Sequence, residues 1–491
     1  MDDVLRAQAG ALLESAPASV EMPAGAGKTH LLASAVAVAA ERGHRSLVLT
    51  HTNAGVDAIR RRLKVFGVPS GMARVETITS WAFSLVRAYP TLADVVVSDT
   101  PDWSESEHYV GGASRAARAL AVAEVHSLSF EYVFVDEYQD CTLTHHEFVL
   151  AIVSAVPKTI VLGDRLQAIF GFAGVLADWE SDVLPRFPEF EIDVSPQRWR
   201  GHNEPLGDWL LKLRAELQDG STVDFGVFST PGLQWSGDTS VAALAAAAHS
   251  HRDFDETVVL LDKWPRTVAR HASRLGGSYS VMEDINGNFM REQIGGNAAR
   301  GIPGIPLEGD PHLALWLARF TKACTIGYAD LDSTVLGRLE RNQSLSGLAR
   351  AEIQPAVEAL ERLRVTPTYA ELGLVARELS AVDSIKTYRW EAWNDTLQAI
   401  HMSAENAETP LENLGRVRER LRRQGRRSHA RIASRTLLVK GLEYDHVIIA
   451  DLSQFTDPRN LYVALSRARK TITIIGARSA IDLEVETFDH S

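Results

Sequence analysis

At 491 residues the chain is too long for one compact core, and its 45% apolar and 23% charged side chains are ordinary for several soluble domains. A net charge of −12 excludes a protein that coats nucleic acid through bulk electrostatics, although it permits a local basic groove. No apolar run is long enough for a membrane span, the acidic start MDDVLRAQAG lacks a signal-peptide pattern, and Cys141 and Cys324 offer no disulfide or zinc framework; the expected location is cytoplasmic.

In chain order, the first feature is MPAGAGKTH, Met22 to His30, a Gly-rich loop of the kind that joins a strand to a helix. Apolar runs follow at SLVLTHT (46–52), YVFVDE (132–137) and TIVLGD (159–164), with an alternating FEIDV (190–194). A second set reads TVVLLD (257–262), HVIIADL (446–452) and TITIIGA (471–477). Short Val/Ile/Leu strands alternating with helical stretches predict parallel sheets covered on both faces. The second set is interrupted by a Gly/Pro stretch at 295–311 and by helix-like sequence to about residue 425. From Arg416 to Arg435 there are nine arginines against a single Glu419, on a helical stripe of Leu414, Val417 and Leu421. That block is readable either as a solvated helix face or as a phosphate contact. ELSAVDSIKTYRW has the residue types of a nuclease site but reads as an exposed helix.

Two of these stretches carry chemistry together. A Gly-rich loop before a helix can aim several backbone N–H groups at phosphate oxygens, with Lys28 reaching the outer phosphates and the Thr29 hydroxyl ligating Mg²⁺. The usual first glycine of that pattern is Met22 here. FVDEYQDC (134–141) places Asp136 and Glu137 at a strand end, where ligands of open α/β sheets bind. Asp136 can then hold Mg²⁺, and Glu137 can orient and deprotonate the attacking water.

The same segments, with others in order, resemble the superfamily 1A DNA helicases of the UvrD/Rep/PcrA type. DEYQDC resembles that family's DExx box, LTHTNAGVDAIRRRL (49–63) the motif after its P-loop, and VLGDRLQAIFGFAG (161–174) its GDxxQ segment. SPQRWRG (195–201) resembles the family's arginine motif, VKGLEYDHVII (439–449) its KGLEF motif and LYVALSRARK (461–470) its YVAxTRA motif. The resemblance implies an α/β fold with two RecA-like parallel-sheet P-loop motor domains. The first would span 1–84 and 116–195 with a small insertion at 85–115; the second would span 196–285 and 426–491 with a mostly helical insertion at 286–425.

It also implies roles. Lys28, Asp136, Glu137, the γ-phosphate sensor Gln167 and the arginine fingers Arg200 and Arg467 would be catalytic. Gln8, Gly25, Ala26, Gly27, Lys28, Thr29, His30, Trp199, Gly441 and Glu443 would bind ATP, and Thr29 and Asp136 would hold Mg²⁺. His51, Thr52, Asn53, Thr77, Trp81, Phe170 and Phe172 would contact single-stranded DNA or a tailed duplex, by stacking or through neutral phosphate contacts. Departures from the family fall at Ala173 and Asp262, where it has arginines, and at Leu437, where it has a histidine. Two functions follow: an ATP-dependent 3′–5′ helicase or translocase, and an ATP-gated DNA-sensing subunit. The second would regulate a partner nuclease, as in antiphage systems of the Gabija type.

Overall fold

The computed structural model describes residues 3–97, 105–171, 174–251, 253, 255–327, 331–348, 353–406, 408–424 and 429–484, with backbone alone at 422–424. The expected Phe172 contact and the Ala173 departure lie outside the described residues, as do several arginines of the 416–435 block.

The first α/β domain is built on five parallel strands: β1 (Ala18–Glu21), β2 (Ser46–Thr50), β3 (Ala73–Thr77), β4 (Tyr132–Val135) and β5 (Thr159–Gly163), in the order β1-β5-β4-β2-β3. Strands β2, β4 and β5 are buried along their whole length, as their unbroken apolar runs require. Helix α1 (Asp3–Glu14) packs on α2 (Lys28–Glu41), whose KTHLLASAVAVAAE face is buried almost all round. Side-chain oxygens cap the next helices: Thr52 accepts from Gly55 N–H at the start of α3 (Asn53–Val65), and Thr77 from Ser80 N–H at α4 (Ile78–Ala88). Short α5 (Pro90–Ala93) and helices α6 (Ser106–Arg118) and α7 (Leu120–Ser129) then lead into β4, and α8 (Leu143–Val153) follows the DExx segment.

FEIDV does not form the expected strand. Its neighbourhood makes one bridge, Ser19 to Glu189, and Phe190 N–H donates to Ser19 O at 2.8 Å before the chain leaves the edge of β1 toward Pro196.

The second α/β domain begins with α9 (Glu204–Gln218), β6 (Val223–Asp224), β7 (Leu233–Ser236), α10 (Val241–Ser250), β8 (Val258–Leu261), α11 (Pro265–Arg274) and β9 (Ser280–Val281). The helical stretch follows: α12 (Asn288–Gly295), α13 (Leu313–Cys324), α14 (Ser333–Glu340), α15 (Gln354–Val365), α16 (Tyr369–Ser380), α17 (Trp390–Glu405) and α18 (Pro410–Gln424), with a ribbon of β10 (Thr325–Ile326) and β11 (Lys386–Thr387). The chain returns through β12 (Arg431–Ser434), α19 (Thr436–Val439), β13 (Tyr444–Ile449), α20 (Pro458–Leu465), β14 (Ala468–Ile475) and β15 (Ala480–Ile481), which pairs with β6. The six-stranded sheet β7-β14-β13-β8-β12-β9 is parallel throughout, giving the tandem RecA-like arrangement.

Each sheet carries a core on both faces, and the helical stretch has its own core centred on stacked Trp316, Phe320 and Trp393. ELSAVDSIKTYRW is not an exposed helix: α16 stops at Ser380, and Ile385, Tyr388 and Arg389 turn inward. Among the described residues, no helix is long and apolar enough to cross a membrane.

Candidate nucleotide and nucleic-acid site

The two domains meet with opposite sheet ends. The first presents the carboxyl ends of β1, β4 and β5; the second presents the segments that enter β13 and β14.

The loop after β1 turns through Gly25 (φ 73°) and Gly27 (φ 99°), left-handed conformations that a side chain would strain. A β-carbon on Gly25 would also lie 2.7 Å from the Trp199 ring and 2.9 Å from Arg198 Cβ, so glycine is what lets the second domain approach. Met22, in place of the usual glycine, continues β1 by donating to Gly163 O at 2.9 Å and buries its side chain in the core of the first domain. Ala26 is buried, and Thr29 sits half-buried at the second position of α2. The N–H groups of Lys28 and Thr29 open the helix and have no acceptor within it.

Lys28 is buried, with Nζ 2.8 Å from Glu137 and 3.8 Å from Asp136. Burial works against its charge, but the two carboxylates outweigh that and hold the lysine above its ordinary pKa. Glu137 adopts a left-handed conformation (φ 58°), which swings its carboxylate back toward the lysine. Burial opposes its ionisation as well, yet Lys28 and then Lys440 keep it well below the ordinary range. For Asp136, burial dominates and Glu137 adds to it, pushing the carboxyl up to about 6 against the pull of Lys28.

A continuous chain of hydrogen bonds runs from this group into the second domain. Gln139 Nε2 donates to Glu137 at 2.5 Å, and Gln139 Oε1 accepts from Asp164 N–H at 3.0 Å. Gln167 Nε2 donates to Asp164 at 2.9 Å, and Gln167 Oε1 accepts from buried Arg467 at 3.0 Å. Lys440 pairs with Asp140 at 2.5 Å and donates to Gln167 O, Tyr462 OH accepts from Ala24 N–H at 3.0 Å, and Arg214 bonds Asp164 and Glu21. Burial, then neighbouring Arg198, work against the charge of Arg467.

Of the expected residues, the structure therefore gathers Lys28, Asp136, Glu137, Gln167 and Arg467. Arg200 stays on the surface, bonded to Ser195 at 3.3 Å. Arg198 sits against the P-loop instead: its N–H donates to Gly25 O at 3.0 Å, and its guanidinium pairs with Glu443 at 3.0 Å and donates to Ser466 O. Trp199 is buried beneath Gly25 with Nε1 donating to Ala468 O, so here its ring wedges β14 against the loop. Gly441 (φ 79°) borders open space, Gln8 is half-buried on α1, and His30 packs edge-on against Phe66.

The expected DNA contacts divide. Thr52 and Asn53 are exposed at the start of α3, whereas Thr77 is buried as a helix cap. The Trp81 ring lies against His126 and Phe130, with Arg74 over it at 5.0 Å. Lys440 Nζ stands 4.9 Å from the Phe170 ring. His51 approaches Cys141 Sγ at 3.4 Å, and burial holds its ring well below its ordinary pKa. In the 416–435 block, Arg418 is buried between Glu391 and Asp395, and Arg431 donates to the carbonyls of Ala248 and His251. Asp262 accepts from Trp264 N–H and Thr267 Oγ1 at the start of α11 and pairs with His271 at 3.1 Å.

Residues 6–173 match the AAA domain. The match takes in the P-loop, the DEYQD segment and Gln167, and ends before the second sheet begins. No curated protein sequence matches the chain. Among solved structures, the Pif1 helicase from Candida albicans is similar over 97% of this chain and 94% of its own, at 10% identity and a TM-score of 0.40.

The residues present fit a nucleoside triphosphate and Mg²⁺. A buried lysine, helix-opening N–H groups and a second-domain arginine supply the donors for a polyphosphate. Among the described residues no cluster of three His, Cys, Asp or Glu could hold a metal. A hydroxyl and one carboxylate, Thr29 and Asp136, suit Mg²⁺, which keeps water and phosphate oxygens as its other ligands.

Proposed function

We propose that the chain hydrolyses ATP between its two sheets and uses the cycle to move on single-stranded DNA as a 3′–5′ helicase or translocase. The observation that supports this most is the hydrogen-bonded path from Glu137, which is ion-paired to Lys28, through Gln139, Asp164 and Gln167 to Arg467. Mg²⁺, held by Thr29 and Asp136, would neutralise charge on the β- and γ-phosphates. Lys28 exchanges Glu137 for the γ-phosphate, which releases Glu137 to orient the attacking water and take its proton. Arg467 stabilises the charge that develops on the transferred group. Gln167 then reports phosphate loss to both domains. Exposed Thr52 and Asn53, with Phe170 beside Lys440, supply candidate DNA contacts next to that relay. The polarity rests on the UvrD-like motifs.

The test is ATPase activity with and without single-stranded DNA. Lys28→Ala and Glu137→Gln each lower turnover by about 10²–10⁴-fold, and Glu137→Gln retains nucleotide binding. Unchanged turnover in both variants sinks the reading, and absence of DNA stimulation removes the motor. Strand displacement on 3′- and 5′-tailed duplexes settles polarity. A second reading is an ATP-gated DNA sensor that regulates a partner nuclease in antiphage defence. It is favoured by the absorption of Arg418, Arg431 and Asp262 into structural contacts, and robust unwinding by the isolated chain counts against it.

A further inference from the structure

An open groove of about 760 Å³ lies at the end of the first sheet opposite the P-loop. It is bounded by the C-terminal half of α3, the starts of β2 and β3, and Phe130 at the end of α7. Arg45, Arg60, Lys64 and Arg74 line it and are exposed, and the one carboxylate among them, Glu76, is paired with Arg74 at 2.6 Å. On a chain of net charge −12 this is a local reversal of sign. Arg60 donates to Val75 O at 2.7 Å and Arg45 to Gly71 O at 3.1 Å, which fixes both guanidinia with further N–H groups to offer. Beneath them the floor is apolar, formed by buried Leu63, Val75 and Phe130.

Exposed apolar side chains adjoin it along the chain. Val65, next to groove-lining Lys64 on α3, is 76% exposed, and Leu128, two residues before groove-lining Phe130, is 81% exposed. On α7, Val122 and His126 are buried, while Leu120 (85%) and Val125 (50%) are exposed with Leu128. Exposed apolar side chains beside a basic groove suit a docking surface. The groove lies at strand starts, whereas the nucleotide-site segments and the expected DNA contacts Thr52 and Thr77 lie at or just beyond strand ends. Trp81, also an expected DNA contact, touches groove-lining Phe130 and Arg74, but its ring is packed edge-on against His126 and Phe130. Single-stranded nucleic acid would call for exposed rings to stack on, whereas Phe130 is buried and Trp81 half-buried. A phosphate backbone would also leave the aliphatic rim unused. A protein segment with carboxylates and apolar anchors uses both features.

We propose that this groove and the outer face of α7 dock an acidic, Leu-containing segment of a partner protein. The probe is a fluorescein-labelled amphipathic peptide of Glu and Leu, titrated by anisotropy against the full chain. Expected is saturable binding, weakened about tenfold by Lys64→Glu and about tenfold by Leu128→Glu, a loss of roughly 1.4 kcal/mol each. Both side chains are exposed, so the variants should melt with the wild-type protein and keep its ATPase rate, if any. Three results overturn the proposal: no binding of the peptide, binding unaffected by either variant, or equal binding by an all-Glu peptide or a blunt DNA duplex. The last would make the groove a general polyanion site. None depends on the nucleotide reading, which stands or falls on turnover alone.

Discussion

Two buried charge networks stand on either side of the second α/β domain, and they are built differently. At the base of the helical stretch, Arg418 meets Glu391 at 2.7 Å, Asp395 at 2.6 Å, and the carbonyls of Asp284 and Ile285. Nearby, Arg389 pairs with Glu283 and stacks on Phe289 at 3.9 Å. In the domain cleft, by contrast, Lys28 Nζ and Arg198 Nε have carboxylates within ion-pair distance but lack hydrogen-bond alignment. Arg467 is buried near a second arginine, and Asp136 is a carboxyl that burial holds back from ionising. A satisfied network locks two pieces together. One that keeps buried donors in reserve on Lys28 and Arg198, placed where two domains meet, is arranged for charges that arrive later. Buried ion pairs alone would not have distinguished these two places.

The sharpest way to break that contrast is to remove one arginine from each network. Arg467→Ala should cut ATP turnover per folded molecule about 10³-fold or more, as for a transition-state arginine. Arg418→Met should leave turnover per folded molecule intact but cost about 3–5 kcal/mol, because Glu391 and Asp395 stay buried without their cation. Turnover and thermal melting measured on both proteins decide it, and swapped phenotypes would reverse the assignment.

The next largest effect separates the two arginines that flank Trp199. Arg198 touches the P-loop and Glu443, whereas Arg200 is on the surface. Arg198→Ala should lower kcat/KM for ATP by about 10²-fold, and Arg200→Ala by clearly less. A larger loss at Arg200 would mean that nucleotide draws Arg200 inward and that Arg198 only positions Glu443.

That pair also shows where sequence reading stops. Buried parallel strands were legible because unbroken apolar runs such as YVFV and TIVLG have few other solutions, and the P-loop and DEYQD were legible because their chemistry is local. FEIDV misled because alternation does not reveal where the chain leaves the sheet, here after a single bridge at Glu189. ELSAVDSIKTYRW misled because helix-forming residues conceal a turn after Ser380 that buries Ile385 and Arg389. Partners from distant parts of the chain, such as Tyr462 with Ala24 or Lys440 with Asp140, leave no spacing to read. Arg198 had a signal: Gln197–Trp199 form a 3₁₀ turn, which points side chains two apart in different directions, so only one of two alternate arginines could face the loop.

The smallest effect is a pH dependence, and it tests whether the cleft is held out of balance before ATP binds. The Asp136 carboxyl is raised from an ordinary 3.8 to about 6 by burial. The folded state therefore binds its proton more tightly than the unfolded chain, so this group costs stability once pH rises past 3.8, and the full cost is present above about 6. Asp136→Asn removes the ionisable group, so the variant should melt higher than the wild-type protein at pH 8. The gain should shrink as pH falls from 6 toward 4 and be gone below 3.8, where wild-type Asp136 is protonated in both states. Mg²⁺ with a non-hydrolysable ATP analogue should erase the gain at pH 8, because the ionised carboxylate then has a cation to hold. A variant less stable than wild type at pH 8 would mean that Asp136 is satisfied by Lys28 at 3.8 Å. In that case the cleft, like the Arg418 network, is already balanced without ligand.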